Sequence, residues 1–135
     1  MTGTTRDGSR HAQAEDHHRS PCLHVDLYET ATADAVLAAV PFEARAATWQ
    51  GEIYFQAPVH AEREDSARDV VEAGELAFRH EGEAIVIGYG PTPCSEGDEI
   101  RLAVPANIFG RTTDPLTFMD KVEAGALVRV EAATE

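Results

Sequence analysis

The residue types that most often bind metals are concentrated near the N-terminus of this sequence. Four histidines and a cysteine lie within the first 24 residues: His11, His17, His18, His24 and Cys22. Their side chains can ligate zinc, but zinc ligands need neighbouring groups that hold them in place. A polar segment supplies no such groups, so we predict a solvated tail here and no metal site.

No other pattern matches a known catalytic or cofactor motif. Cys94 follows Pro93 in a turn-rich loop, and no histidine neighbours it to act as a base. The acidic runs at residues 62–65 and 96–99 lack the ligand order of a calcium loop. The sequence contains no Gly-x-Ser-x-Gly, His-Glu-x-x-His, phosphate-loop or dinucleotide motif. We therefore expect neither a metal nor a cofactor.

Length and composition indicate one globular domain. The chain has 135 residues, of which 43% are hydrophobic, enough to bury a core without disulfides. No apolar run approaches the roughly 20 residues that a membrane span requires. The polar N-terminus also lacks the apolar stretch of a secretion signal. We therefore expect a cytoplasmic protein with reduced cysteines and no membrane partner.

The charge of the chain is strongly negative. Eleven Lys and Arg oppose 24 Asp and Glu, which gives a net charge of −13, and Lys121 is the single lysine. Such a field repels phosphate backbones, so we expect no nucleic-acid partner. The acidic excess also fits a halophilic protein, because concentrated salt screens the self-repulsion. A GC-biased genome is the alternative explanation for the preference for arginine over lysine.

The apolar pattern divides the chain at about residue 21. Residues 1–21 have no net charge and one large apolar residue, Met1, which predicts a disordered polar tail. Residues 22–135 contain short apolar runs, which predict strands at residues 24–28, 53–57, 75–79, 84–89, 107–110 and 127–130.

Two short helices are predicted between these strands. One begins near Thr32 and ends at Pro41, and the other covers residues 116–122 after the capping pair Asp114-Pro115. The charged residues 62–72 are predicted to form a loop or one short helix. Short strands with a few helical pieces point to a small β-barrel.

Four blocks of the sequence resemble a small prokaryotic family of cyclophilin-like proteins, most of which are uncharacterised. The blocks are TWQGEIYF (residues 48–55), VEAGELAF (71–78), GYGPTP (88–93) and PANIFG (105–110). The resemblance implies a mainly all-β fold, a closed barrel of about eight short strands with two short helices over its ends. Such relatives usually open with a two-stranded hairpin. Here one strand precedes Thr32, so either the barrel is short or the tail contributes a weak edge strand.

The same resemblance implies which residues to compare with the prolyl isomerase site. Cyclophilins bind proline in an apolar pocket on the outer face of the barrel, where an arginine stabilises the twisted peptide bond. Placing residues 53–56 on the corresponding strand retains Gln56. The arginine motif is not matched, and Arg45 is the nearest upstream candidate. The pocket phenylalanine falls within the aliphatic residues 85–87, and the pocket histidine falls on Ala106. Gln56 and Arg45 are therefore the catalytic candidates.

Aromatic residues suggest a binding face as well. Alternation along the strand places Ile53 and Phe55 on the barrel side and Glu52, Tyr54 and Gln56 on the other side. The predicted ligand-binding residues are Trp49, Tyr54, Gln56, Tyr89 and Arg45. Tyr54 and Gln56 would recognise the ligand, Trp49 and Tyr89 would form apolar walls, and Arg45 would anchor a carboxylate. The alternative is that Tyr54 packs against a helix.

Three functions remain open at this point. The leading hypothesis is a cyclophilin-like domain that binds a small ligand or an extended peptide in an outer groove. The second is a weak or atypical peptidyl-prolyl cis-trans isomerase, and the third is a non-enzymatic module whose acidic surface selects basic partners. A monomer and a homodimer joined through the groove are both compatible with the sequence.

Overall fold

Strands dominate the computed structural model, which describes residues 2–5 and 21–133. In chain order the strands are β1 (Thr2–Thr5), β2 (Cys22–Leu27), β3 (Phe42–Arg45), β4 (Ala47–Trp49), β5 (Glu52–Gln56), β6 (Arg68–Val71), β7 (Glu75–Arg79), β8 (Ala84–Gly88), β9 (Ile100–Arg111) and β10 (Leu127–Val130). One α-helix, α1 (Ala31–Ala39), and one 3-10 turn, Met119–Lys121, complete the described elements. No helix in these ranges is long and apolar enough to cross a membrane.

The ten strands form one sheet in the order β3-β10-β1-β2-β9-β7-β8-β5-β4, with β6 paired to β9. β1 runs parallel to both β2 and β10, and the other pairs are antiparallel. Thr2–Thr5, which we assigned to the tail, thus lies between two strands in the sheet. Residues 6–20, the remainder of that segment before Pro21, lie outside the described residues.

The mainly β architecture is confirmed, but the closed barrel is not. The path of paired strands begins at β3 and ends at β4, so the sheet is an open half-barrel. These two strands follow each other in the chain and are separated only by Ala46, whose amide donates to the carbonyl of Ala126 over 2.8 Å. The chain changes partners at this residue, since β3 pairs with β10 and β4 pairs with β5.

The first predicted helix is present, and its ends have clear causes. Thr30 is the N-cap, because its Oγ1 accepts from the amide of Ala33 over 3.0 Å. Val40, the C-cap, is extended, as the residue before a proline usually is. α1 therefore begins one residue before the predicted start and ends just ahead of Pro41.

The prediction of a second helix is wrong. Residues 116–122 form only a 3-10 turn, in which the amides of Met119, Lys121 and Val122 bond to carbonyls three residues earlier. The carboxylate of Asp114, which was expected to cap a helix, instead accepts the amide of His24 on β2 over 2.6 Å. The segment is thereby tied to the sheet, and the buried side chain of Met119 fixes the turn against the core.

A first core fills the concave side of the sheet beneath α1. Its largest fully buried members include Leu23, Ile53, Phe78, Ile85 and Phe109, which come from five different strands. The strands predicted from short apolar runs bring these residues together, because every second side chain of a strand points to the same face.

A second core lies on the opposite face of β7 and β8. It contains Val71 of β6, Ala77, Val86 and the β9 residues Ile100, Leu102, Ala106 and Ile108. β9 reaches both faces because its residues 107, 108, 110 and 111 pair with β7, while residues 100, 101 and 106 pair with β6. The predicted strand at 107–110 is therefore the end of a twelve-residue strand. Residues 62–72, predicted to form a loop or one short helix, contain the strand β6 instead.

Gly88 shows how closely the residues of the second core approach the backbone of β8. A Cβ at this position would lie 2.6 Å from Cγ2 of Ile100 and 3.5 Å from Cγ2 of Val71. Only a residue without a side chain fits beneath these two.

A buried polar network fastens the segment that precedes β6. The Nδ2 of Asn107 donates to Oγ1 of Thr32 and to the carbonyl of Glu62, both over 2.9 Å. Its Oδ1 accepts the amide of Glu64 over 2.8 Å. The carboxylate of Glu64 in turn accepts from both the amide and the hydroxyl of Thr32. These bonds join β9, α1 and the connection to β6.

We predict that Asn107→Ala destabilises the protein by about 2–3 kcal/mol, because several buried groups lose their partners at once. Urea unfolding measures the change. The exposed Gln50→Ala, in the turn between β4 and β5, is the control and should change stability by less than about 0.5 kcal/mol. If Asn107→Ala lowers the free energy of unfolding by less than about 1 kcal/mol, water replaces the hydrogen bonds of the network.

Candidate ligand-binding face

The side chains of β5 alternate between the first core and the opposite face, as the sequence predicted. Ile53 and Phe55 are buried in the first core. Glu52, Tyr54 and Gln56 point the other way, and their exposure increases along the strand: Glu52 is buried, Tyr54 is half-buried and Gln56 is exposed. We call this side of β4, β5, β8 and β7 the outer face.

Strand register gathers the predicted aromatic residues on the outer face. Trp49 of β4 lies opposite Glu52, and Val86 of β8 lies opposite Tyr54. Residues directly opposite each other in a sheet point to the same side. Trp49, Tyr54 and Gln56 therefore share one face, as the ligand-binding hypothesis requires.

Tyr54 packs against the second core rather than against a helix. Its ring adjoins the apolar cluster that contains Val86 and Ala77. The guanidinium of Arg79 lies 5.3 Å from the centre of this ring, which is cation–π distance. Sequence reasoning missed Arg79, because it reaches Tyr54 only through the pairing of β7 and β5 with β8.

Glu52 is the second residue that sequence reasoning missed. Its side chain is 3% exposed, and Oε2 has no hydrogen-bond partner among the described residues. Burial raises the pKa of this carboxyl from its ordinary value of 4.5 to about 7, against a smaller lowering effect from Arg79. Alternation with Tyr54 placed Glu52 on this face, but the pattern did not reveal its long-range surroundings: Glu52 lies opposite Gly88, over which Ile100 and Val71 pack.

Arg45 and Gln56 line one open pocket between β3 and the end of β5. The other lining residues are Glu43, Ala44, Ala57, Pro58 and Glu83. Arg45 is exposed, and its Nη1 donates to the carbonyl of Gly125 over 3.2 Å, which orients the guanidinium. The pocket thus combines a cation and a primary amide with an apolar floor.

The rim of this pocket carries two carboxylates, Glu43 and Glu83. Glu43 interacts with Arg129 at 3.3 Å, and Glu83 lies 3.1 Å from Nδ1 of His60. The hydrogen bond to Glu83 raises the pKa of His60 above its ordinary value. Because His60 is exposed, its charge adds only weakly to the field at the pocket.

Tyr89 lies in a different place from the other predicted ligand-binding residues. Its amide donates to the carbonyl of Gly51 over 2.8 Å, and its ring adjoins the first core. It lines a separate pocket with Leu116 and Asp120. Burial and the Asp120 carboxylate raise the pKa of its hydroxyl. The structure therefore brings four of the five predicted residues to the outer face and its edge, but not Tyr89.

The histidines of the N-terminal segment divide into two groups. His11, His17 and His18 lie outside the described residues, so the solvated tail stays a prediction. His24 lies on β2 and contacts Asp114. Cys94 is an exposed free thiol in the loop before β9.

We predict that Glu52→Gln stabilises the protein at pH 8 by at most about 3 kcal/mol and has little effect at pH 4. Because the folded-state pKa is raised, the wild type loses stability as the pH rises from 4.5 through about 7. The amide of the Glu52→Gln variant does not ionise, so the variant does not lose this stability as the pH rises. Urea unfolding at both pH values measures it, with the exposed Glu123→Gln as the matched control. Equal slopes of stability against pH for the wild type and Glu52→Gln would show that the carboxylate is solvated.

Comparison with known proteins supports the fold. A family model described as cyclophilin-like matches residues 17–131. The solution structure of a hypothetical protein from Archaeoglobus fulgidus is 33% identical, with a TM-score of 0.69 over 82% of this chain and 86% of that chain. No curated protein matches the sequence. Because the family model spans most of the chain, this protein belongs to the cyclophilin-like family.

Proposed function

We propose that the outer face binds a small ligand or an extended peptide, with the pocket between Arg45 and Gln56 as its anchoring site. The observation that supports this most directly is that β3 and β5 bring these two side chains to one open pocket. The chain belongs to the cyclophilin-like family, and cyclophilins, which the sequence resembles, bind proline on the outer face of the barrel.

The chemistry of the pocket suits a chain end with one carboxylate. A guanidinium donates two parallel hydrogen bonds to a carboxylate, and a glutamine amide both donates to and accepts from a peptide backbone. Ala44, Ala57 and Pro58 offer apolar contact beneath these groups. Glu43 and Glu83 at the rim repel further negative charge, so the rest of the ligand should be neutral or cationic.

A longer peptide would continue from Gln56 across the outer face. Ala84 pairs with both Gln56 and Arg79, so these three residues form one row across β5, β8 and β7. Tyr54 lies in the next row of this face, and Trp49, opposite Glu52, lies in the row beyond it; both offer aromatic surface. We therefore assign recognition to Gln56 and Tyr54, an apolar wall to Trp49, and carboxylate binding to Arg45.

We predict that a tetrapeptide with a free C-terminal carboxylate, Ala-Ala-Pro-Ala, binds more tightly than its C-terminal amide. NMR titration of the protein amides measures both affinities. Arg45→Ala should weaken binding of the acid roughly tenfold and remove the preference over the amide, since a hydrogen bond to a charged group contributes about 1.5–3 kcal/mol.

The matched control is Arg101→Ala, since Arg101 is bound to Glu99 and Asp69 on the β6–β9 layer. It should leave both affinities unchanged. Equal binding of acid and amide by the wild type would contradict the anchoring role of Arg45. A different result would favour a surface that selects basic partners through charge: binding that weakens with salt and is unchanged by Gln56→Ala and Arg45→Ala.

An atypical prolyl isomerase is the second candidate, and the meeting of Gln56 and Arg45 in one pocket is what favours it. Rotation about a prolyl bond has a barrier of about 18–20 kcal/mol, and a catalyst must stabilise the twisted amide. In that role Gln56 would hold the substrate backbone, and Arg45 would donate to the prolyl nitrogen.

The isomerase hypothesis predicts that the protein accelerates cis/trans exchange of an Ala-Pro peptide in molar potassium chloride. Both Gln56→Ala and Arg45→Ala should abolish the acceleration, and Arg101→Ala should not. NMR exchange spectroscopy measures the rate, with the amide spectrum of the same sample showing that the protein is folded. A folded wild type without acceleration would exclude the isomerase and leave the binding function to be judged by the titration.

A further inference from the structure

β2 presents a thiol and an imidazole on the same side. Cys22 and His24 are two residues apart and half-buried, while Leu23 and Val25 between and beyond them are buried in the first core. In a strand, residues i and i+2 share a face and are separated by about 6.6 Å along the chain. The two side chains are therefore neighbours on the surface away from the core.

Asp114 fixes the imidazole of His24. Its Oδ2 lies 3.0 Å from Nδ1 of the ring and accepts the amide of the same residue over 2.6 Å. A carboxylate only accepts hydrogen bonds, so the hydrogen of a neutral ring belongs on Nδ1. The other ring nitrogen, Nε2, is then a proton acceptor, as in enzymes that pair a histidine base with a carboxylate.

Cys22, His24 and Asp114 line one pocket at the surface. Pro21, Pro115 and Phe118 supply its apolar wall, and the hydroxyl-bearing Thr117 completes it. A nucleophile, a base and a group that orients the base thus meet in one cavity, which is separate from the pocket of Arg45 and Gln56.

We propose that this pocket is a thiol–disulfide exchange site, in which Cys22 reacts with a small cationic disulfide and His24 acts as the base. His24 Nε2 takes the proton of the Cys22 thiol as Sγ attacks one sulfur of the disulfide. A new S–S bond forms to Cys22, the old S–S bond breaks, and the leaving thiolate takes the proton from the imidazolium. The products are a mixed disulfide and one small thiol, so the incoming disulfide is the oxidant.

Burial and the nearby carboxylates explain why the Cys22 thiol needs a base. Burial, followed by the carboxylates of Asp114 and Glu131, raises the pKa of the Cys22 thiol. Free thiolate at Cys22 is therefore scarce at neutral pH. A base that removes the thiol proton during the attack accordingly accelerates the reaction.

The same charges select the ligand. Asp114 and Glu131 are close enough to act on Cys22, and they attract a cationic disulfide while repelling an anionic one. Attack on a carbonyl would create an oxyanion, which these carboxylates would oppose. Disulfide exchange places the developing charge on sulfur and passes a proton to it, so it suits the pocket better.

The chain offers its own control, because it has two cysteines, Cys22 and the exposed Cys94. Cys94→Ser leaves Cys22 as the reacting thiol, and Cys22→Ser leaves Cys94. Each variant is treated with cystamine, the neutral bis(2-hydroxyethyl) disulfide and the anionic 3,3′-dithiodipropionate, and mass spectrometry follows the mixed disulfide. We expect Cys22 to react faster than Cys94 with cystamine, and its rates to fall from the cationic to the neutral to the anionic reagent.

The role of His24 is tested in the Cys94→Ser background. His24→Gln should slow the reaction of Cys22 at least tenfold, a modest part of the roughly 10²–10⁴-fold effect of general bases. The same change in the Cys22→Ser background should leave the rate of Cys94 unchanged. Free imidazole should restore the rate of His24→Ala, which loss of a purely structural contact would not allow.

The proposal is overturned if Cys22 with native His24 reacts more slowly than Cys94 with all three disulfides. It is also overturned if His24→Gln, shown to be folded by urea unfolding, leaves the rate unchanged. The comparison of the three disulfides needs no change at His24, so it remains decisive even if a histidine variant does not fold.

Discussion

The burial of β8 on both faces is the constraint on which the rest of this structure depends. All five residues of Ala84–Gly88 are buried, because Ile85 and Ile87 face the first core while Val86 faces the second. The second face is covered because β9 pairs with β7 along one part and with β6 along another. Two apolar cores therefore share one strand, and at Gly88 a Cβ would lie only 2.6 Å from Cγ2 of Ile100.

This arrangement limits where the outer face can bind anything. At one end of β5, Glu52 is buried, and its Oε2 has no hydrogen-bond partner in the part of the chain that the structure describes; Tyr54 is half-buried. Gln56, at the far end of β5, stays exposed and meets Arg45 where the chain passes from β3 to β4. Accessibility thus increases along a single strand, and the proposed anchoring site lies at its open end. At the covered end, burial raises the pKa of the Glu52 carboxyl to about 7.

Asp114 illustrates how one side chain can change both the local fold and the chemistry nearby. The sequence pair Asp114-Pro115 is typical of a helix start, yet the carboxylate binds the backbone and ring of His24 instead. A long-range contact across 90 residues replaces the local cap, and the segment that follows forms a 3-10 turn. The same contact orients the imidazole beside Cys22. Local pattern did not predict this pairing, because it follows from the position of the loop against β2.

The sequence by itself determined the mainly β fold, α1, the membership of the cyclophilin-like family and the division of β5 into core and outer residues. These features depend on local periodicity, on the helix start near Thr32 and the proline at position 41, and on blocks of contiguous sequence. Only the tertiary structure decided that Arg79 covers Tyr54, that Glu52 is buried and that Tyr89 lies elsewhere. Each of these depends on which strands pair and on how β9 folds over the sheet. Such contacts join residues far apart in the chain, and the alternation within one strand carries no information about what covers it.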